Sequence, residues 1–341
     1  MLSTLRELCL LPGVSSYEEE VRTFIRDRIA PYADSVRVDT MGNLIVFKRG
    51  EKATGHQLML AAHMDEVGLM IHSITAEGYL KFAPVGGIDR RVLLGKRVFI
   101  GTQKVPGIIG LKAHHLVSRE EEKKVPKVSE FYLDIGAKTR EEAKNLISLG
   151  DVAVFDSDFV EFGDGMIKAK AIDDRIGCAV MLELIRQPLP MDCFFVFTVQ
   201  EEVGTRGAFG AAFSVTPKIA MILEGTTAAD FPDLSAHKQV CSPGIGPVIP
   251  FMDGGTVYDR ELFELLRNLA QTHQIPWQTK RLIAGGTDAS AIQKTREGVR
   301  VVAISAAVRY LHTPSSVASI RDCTQIYRLA RLFIDAVAAS C

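Results

Sequence analysis

Cys193-Phe194-Phe195-Val196-Phe197-Thr198-Val199-Gln200 is an apolar run that ends on two adjacent carboxylates, Glu201 and Glu202. A run of strand length with no polar alternation suits a strand covered on both faces, as in a parallel sheet between helix layers. Charged groups rarely sit at the end of a buried strand unless they are paired or coordinated. The same arrangement recurs on both sides. Gln57-Leu58-Met59-Leu60-Ala61-Ala62 runs into His63-Met64-Asp65-Glu66, and Ile219-Ala220-Met221-Ile222-Leu223 runs into Glu224.

Working outward, helices alternate with these strands. Ser16-Tyr17-Glu18-Glu19 reads as a capping box opening a helix to about Ile29. A helix follows Asp174, another lies near Thr205, and longer ones are expected over residues 258–272 and 320–338, with a strand over 299–304. The expected fold is α/β, a mostly parallel sheet covered by helices on both faces. From about residue 69 the texture changes to short strand-like pieces broken by Gly86-Gly87, Gly95, Gly101, Gly107 and Gly110, with a charge run at residues 119–124. Residues 1–68 and 160–341 therefore read as one domain interrupted by a small barrel-like β insertion over 69–159.

Composition excludes several classes. Apolar residues make up 47% of the 341-residue chain, enough for a full core and against disorder. The formal net charge of −1, with acids and bases interspersed, argues against a nucleic-acid or membrane-surface partner. The first residues carry charge too early for a signal peptide, and no apolar run approaches the roughly 18 residues that span a bilayer. The six cysteines are scattered without a Cys-x-x-Cys pair, which fits a reduced cytoplasmic setting.

Chemistry is sought at the carboxyl ends of strands, where open α/β sheets bind ligands. Taken singly, each candidate has a plain reading: His63 a structural histidine, Asp173-Asp174 a helix cap, His312 a loop residue after the last strand. Two adjacent Asp exceed what a cap requires. On extended backbone Asp65 faces the same way as His63 and can hold its imidazole, the usual partner of a metal-bound histidine. His63, Asp173, Glu202, Glu224 and His312 together supply the N/O donors that two divalent ions need, with one carboxylate shared. Glu201 is left free to act as general base. His114-His115 lies in the insertion, Gly285-Gly286-Thr287-Asp288 lacks the ending of a phosphate loop, and no Gly-x-Ser-x-Gly elbow occurs.

These motifs resemble metallopeptidase family 42, the tetrahedral aminopeptidases, which include glutamyl aminopeptidases and proteins once labelled endoglucanases. The likeness rests on Ala62-His63-Met64-Asp65-Glu66-Val67-Gly68, Lys170-Ala171-Ile172-Asp173-Asp174-Arg175, Gln200-Glu201-Glu202-Val203-Gly204, Gly285-Gly286-Thr287-Asp288-Ala289 and Tyr310-Leu311-His312-Thr313-Pro314. The insertion matches in Gly86-Gly87, Val92-Leu93-Leu94-Gly95 and Leu133-Asp134-Ile135-Gly136-Ala137.

The resemblance implies a cytoplasmic aminopeptidase with two metal ions per subunit, zinc first and cobalt or manganese as alternatives. Asp173 would bridge the ions, His63 and Glu224 would complete one site, and Glu202 and His312 the other. Glu201 would be the base and Asp65 would orient His63. Glu224 stands where the family often has Asp. Implied partners are short peptides with a free N-terminus and further copies of the chain, the insertion forming dimers that build a twelve-subunit tetrahedron. The rival activities are a deacylase or carboxypeptidase with nearly the same donors, and a glycosidase. The last is disfavoured by the expectation that Glu201 and Glu202, adjacent on an extended strand, point to opposite sides.

Overall fold

A computed structural model describes residues 1–341, the side chain of Ala236 excepted. Helices α1 (Leu2–Leu10) and α2 (Glu19–Ile29) open the chain, followed by β1 (Ser35–Val38), β2 (Leu44–Lys48) and β3 (Leu58–His63). Next come β4 (Gly68–Ile74), β5 (Leu80–Val85), β6 (Arg97–Ile100), β7 (Val105–Gly110), α3 (Arg119–Glu122), β8 (Tyr132–Asp134), α4 (Arg140–Lys144) and β9 (Val152–Phe155). The chain continues through β10 (Val160–Phe162), β11 (Met166–Ala169), α5 (Ile172–Arg186), β12 (Cys193–Thr198), α6 (Arg206–Val215) and β13 (Ile219–Thr227). It closes with α7 (Arg260–Thr272), α8 (Ala289–Ile292), β14 (Arg300–Val308), β15 (Ser316–Ser319) and α9 (Ile320–Ser340).

The main sheet has the order β1-β2-β12-β3-β13-β14. Strands β12, β3, β13 and β14 are parallel, and β2 and β1 add an antiparallel edge. Alternation along β3 sends Leu58, Leu60 and Ala62 into the larger apolar layer beneath α1, α2, α5, α7 and α9. Met59 and Ala61 point the other way, toward α6 and α8. Both faces are therefore covered, which is why β3 and β12 read as continuous apolar runs. A second sheet, β10-β11-β15, is antiparallel, and β4-β5-β8-β7-β6-β9 closes into a barrel with its own apolar interior.

Three local expectations fail for identifiable reasons. Ser16 does not cap α2: it has φ 74, and its N–H donates to Glu18 Oε1 at 2.8 Å. That same oxygen also accepts Gln200 N–H at 3.2 Å, so Glu18 ties the turn before the helix to the turn after β12, and α2 starts only at Glu19, the residue the box would have placed in its first turn. Glu224 does not end its strand, because β13 pairs with β14 through Thr227 while its pairing with β3 stops at Ile222. Glu201 and Glu202 are not on extended strand at all. Gln200 has φ 56, and this turn ends the run of β12 and brings both acids to one cavity.

Candidate metal centre

Where β3, β12 and β13 end or lose a neighbour, a cavity of about 130 Å³ opens, lined by Asp173, Glu201, Glu202, Glu224 and His312 among others. His63, the last residue of β3, lies beneath it and is 1% exposed. Its Nε2 is 3.1 Å from Glu224 Oε1 and 3.3 Å from Asp173 Oδ1. On the opposite side, His312 Nε2 is 3.2 Å from Glu202 Oε2 and 3.7 Å from Asp173 Oδ2. Asp173 thus presents one oxygen to each histidine, and Glu201 Oε2 stands 4.0 Å from His63 Nε2.

Both imidazoles are oriented by backbone carbonyls. His63 Nδ1 faces Asp65 O at 3.0 Å, and His312 Nδ1 faces Gly87 O at 2.8 Å. A carbonyl can only accept, so each Nδ1 carries a proton, and each Nε2 is the atom that would give its lone pair to a cation once its own proton is displaced. Gly87 belongs to the insertion, just past β5, and sequence reasoning had no signal for its role.

Asp65 does more than steer the ring. Its carboxylate is 3.4 Å from His63 Nδ1 and accepts Ser15 Oγ at 2.6 Å, Glu201 N–H at 3.0 Å and Glu202 N–H at 3.1 Å. Burial works against its charge, but His63 and these donors outweigh it and hold the carboxyl below its usual range.

The double Asp divides its labour. Asp174 Oδ1 accepts Gly177 N–H at 2.9 Å, which makes Asp174 the cap of the regular part of α5. Its Oδ2 accepts His63 N–H at 3.2 Å. Asp173, with extended φ/ψ of −82° and 111°, is thereby aimed into the cavity. Gly225 allows it to sit there, since a Cβ at that position would lie 2.8–2.9 Å from the Asp173 side chain.

Electrostatics of the cluster are unfavourable on their own. Burial pushes Glu201 and Glu224 well above the carboxylate range, helped by Asp288, Glu202 and Asp173 for the first and by Asp174 and Asp173 for the second. Glu202 is pushed up to about 7, by burial and then by Asp173, against the pull of His312. His312 is raised to about 9, because Asp173 and Glu202 overcome the burial that disfavours its cation. His63 Nε2, Asp173 Oδ1 and Glu224 Oε2 are buried without a hydrogen-bond partner. Unpartnered lone pairs among crowded acids fit divalent cations, which supply the missing positive charge.

The donor atoms of His63, Asp173 and Glu202, and those of His63, Asp174 and Glu224, lie within 4.8 Å of one another. Asp174 is the weaker candidate in the second group, since both its oxygens already accept backbone N–H groups. An all-N/O donor set without thiolate suits zinc, cobalt or manganese.

Comparison with known proteins decides the family. The profile described as M42 glutamyl aminopeptidase matches residues 42–329. The chain belongs to the M42 aminopeptidase family. The lysyl aminopeptidase of Pyrococcus furiosus is 32% identical, covering 95% of this chain and 94% of that protein. Among solved structures, aminopeptidase APDkam598 of the archaeon Desulfurococcus kamchatkensis superposes with a TM-score of 0.92 at 35% identity, covering 97% of this chain and 93% of that one. The TET1 peptidase of Pyrococcus horikoshii, which can assemble into a tetrahedron or a large octahedral shell, gives 0.86 at 35% identity, covering 97% and 98%. This M42 chain is therefore a peptidase with the family's α/β fold and inserted barrel. Among the described residues no helix is long and apolar enough to cross a membrane.

Proposed function

We propose that this protein is a two-metal aminopeptidase that removes N-terminal residues from short peptides. The observation that carries the reading is Asp173, whose two oxygens face the two histidines at 3.3 and 3.7 Å. His63, Asp173 and Glu224 would hold one ion, and His312, Asp173 and Glu202 the other. When bound, such ions polarise the scissile carbonyl and acidify water. The family's divalent cofactors fit zinc, cobalt or manganese here.

Glu201 is the proton carrier. Burial and the nearby acids raise its proton affinity, so its carboxylate takes a proton from water and hands it to the departing amine. As the proton leaves, the water oxygen bonds to the carbonyl carbon, and the C–N bond breaks once the nitrogen is protonated. Asp65 places this base through the Glu201 and Glu202 N–H groups. The acidic lining attracts a free α-ammonium and gives nothing to a neutral N-acyl group.

Family 42 relatives with shell assemblies support a homo-oligomer built through the barrel at residues 69–159, with the tetrahedral dodecamer as the expected form. Six free cysteines, five of them buried, support a reducing cytoplasmic setting.

The test is a pair of identical peptides, one with a free amine and one acetylated, followed by mass spectrometry with each metal. The free peptide should shorten one residue at a time while the acetylated one stays intact. Comparable cleavage of both, or a first cut in the interior, would end the aminopeptidase reading. Release of N-acyl groups would point to the deacylase alternative, and loss of C-terminal residues to a carboxypeptidase.

A further inference from the structure

Glu66 follows Asp65 directly, yet no step of the proposed reaction uses it. It is 3% exposed and stands between two buried cations, Lys170 and Arg175. Lys170 Nζ donates to Glu66 Oε1 at 2.7 Å, and Arg175 Nη2 lies 3.5 Å from the same oxygen. Among the described residues no other carboxylate lies within 4.0 Å of either cation. Taking the carboxylate out of this trio strands two charges in a desolvated space, the costly way to break a buried ion pair.

The remaining donors tie the trio to the end of α1 and the loop after it. Lys170 Nζ also donates to Leu11 O at 2.8 Å, and Arg175 Nη1 to Leu8 O at 2.6 Å. Gly13 N–H donates to Glu66 Oε1 at 3.1 Å, and Glu66 N–H to Gly13 O at 2.9 Å. A Cβ at Gly13 would lie 2.5 Å from Arg175 Nη2, so the guanidinium fills the space that the glycine leaves.

The two cations bracket the bridging aspartate. Lys170 precedes and Arg175 follows the pair Asp173-Asp174. The stretch between them is irregular, with φ 53 at Ala171 and φ/ψ of −82° and 111° at Asp173. A non-glycine residue in the left-handed region persists only where its surroundings hold it. Asp173 Oδ1 is buried without a hydrogen-bond partner, so its aim comes from the backbone that carries it. Glu66, Lys170, Asp173, Glu202 and His312 line one small cavity, which places the trio directly beside the bridge.

We propose that Glu66 is a positioning residue for the metal bridge. By holding Lys170 and Arg175 on one carboxylate, it fixes both ends of the stretch that aims Asp173 and keeps one oxygen turned toward each ion. This rests on the two-metal reading above. Neighbouring acids then share the work: Asp65 places the turn bearing Glu201 and Glu202, and Glu66 places the bridge. Because Asp173 serves both ions, a slackened clamp weakens both binding steps together, whereas loss of a ligand such as Glu224 chiefly weakens one.

The experiment titrates zinc and cobalt into the full chain after a chelator has stripped it, against a chromophoric competitor, and follows the visible absorption of bound cobalt. E66Q keeps an acceptor but loses the charge, and should weaken both steps by roughly 10–100-fold, the usual scale for a group that orients a metal ligand. K170M should do the same, and K170R should stay near the parent. E66Q/K170M should fall no further than the weaker single variant, since both act through one contact. L266A, a core truncation in α7, controls for general destabilisation and should keep both affinities. Parental affinity in E66Q, weakening of a single step, or an equal loss in L266A would overturn the proposal. K170M leaves Glu66 with Arg175 and Gly13, and decides the question by the same criteria should E66Q not fold. A parent chain that binds one ion or none would instead bring down the two-metal reading, and this one with it.

Discussion

Replacing Asp65 by Asn tests whether one buried carboxylate places both glutamates. Asp65 is 0% exposed, and its two oxygens share four contacts. Oδ1 takes Glu201 N–H at 3.0 Å and faces His63 Nδ1 at 3.4 Å, while Oδ2 takes Glu202 N–H at 3.1 Å and Ser15 Oγ at 2.6 Å. The amide of Asn puts an NH₂ on one side or the other, so in either orientation it confronts a backbone N–H. At least one buried donor is left unpaired, a cost of about 1–3 kcal/mol in stability. Asp65→Ala strands both backbone donors and should cost about twice as much. Displacement of the Glu201 backbone by even ~1 Å should lower turnover by roughly 10²-fold. The assay combines denaturant melts, kcat and KM on a free-amine peptide, and metal analysis. Asp65→Asn should keep its metal and lose mainly kcat. Parental turnover in Asp65→Asn would refute the placement argument, and loss of metal with unchanged residual kcat per ion would reassign Asp65 to support of His63 alone.

The remaining predictions are simpler. Glu201→Gln should retain its metal content while turnover falls by roughly 10²–10⁴, and loss of an ion by elemental analysis would move Glu201 into the coordination set. Gly225→Ala forces a Cβ within 2.9 Å of Asp173, so metal affinity should drop with the fold intact by circular dichroism. Unchanged metal titration in that variant would show that Asp173 tolerates displacement. Burial, opposed by His63 and the Thr198 hydroxyl and reinforced by Asp65, pushes Asp288 up to about 6. The folded chain then holds a proton that the unfolded chain releases near pH 4, so this contribution to stability is full below about 4 and lost as pH rises to about 6. Stability of Asp288→Asn should therefore decline less than the parent's across that window, and parallel curves in chemical denaturation would contradict it.

Much of the architecture was legible because burial on both sheet faces leaves continuous apolar runs, and β3, β12 and β13 carry them openly. The barrel was legible for the opposite reason, as short pieces punctuated by glycine. The candidate residues His63, Asp173, Glu201, Glu202, Glu224 and His312 could be grouped because acids and histidines next to apolar strands have few structural uses. What stayed hidden was decided by backbone direction and by distance along the chain. Nothing local says that Gln200 takes a positive φ and turns both glutamates inward. Glu224 looked like a strand end because the apolar run stops there, yet β14 continues to pair beyond it. Glu18 accepts both Ser16 N–H and Gln200 N–H, and nothing in the local sequence marks the second of these contacts. The Gly86-Gly87 pair stood out as a motif, yet nothing in it says that the carbonyl of Gly87 reaches a histidine near the other end of the chain.

The hydrogen bond between His312 and Gly87 ties the final segment of the molecule to one made far earlier. Together with His63 near the end of the third strand, it means that the donors come from segments scattered between β3 and the loop before β15. A polypeptide still emerging from the ribosome lacks the last of them, however well its first half has folded. The barrel takes part as well, since the carbonyl that orients the late histidine lies just past β5. On the proposed site, a chain cut short of residue 312 would therefore stay inactive, its own topology doing the silencing.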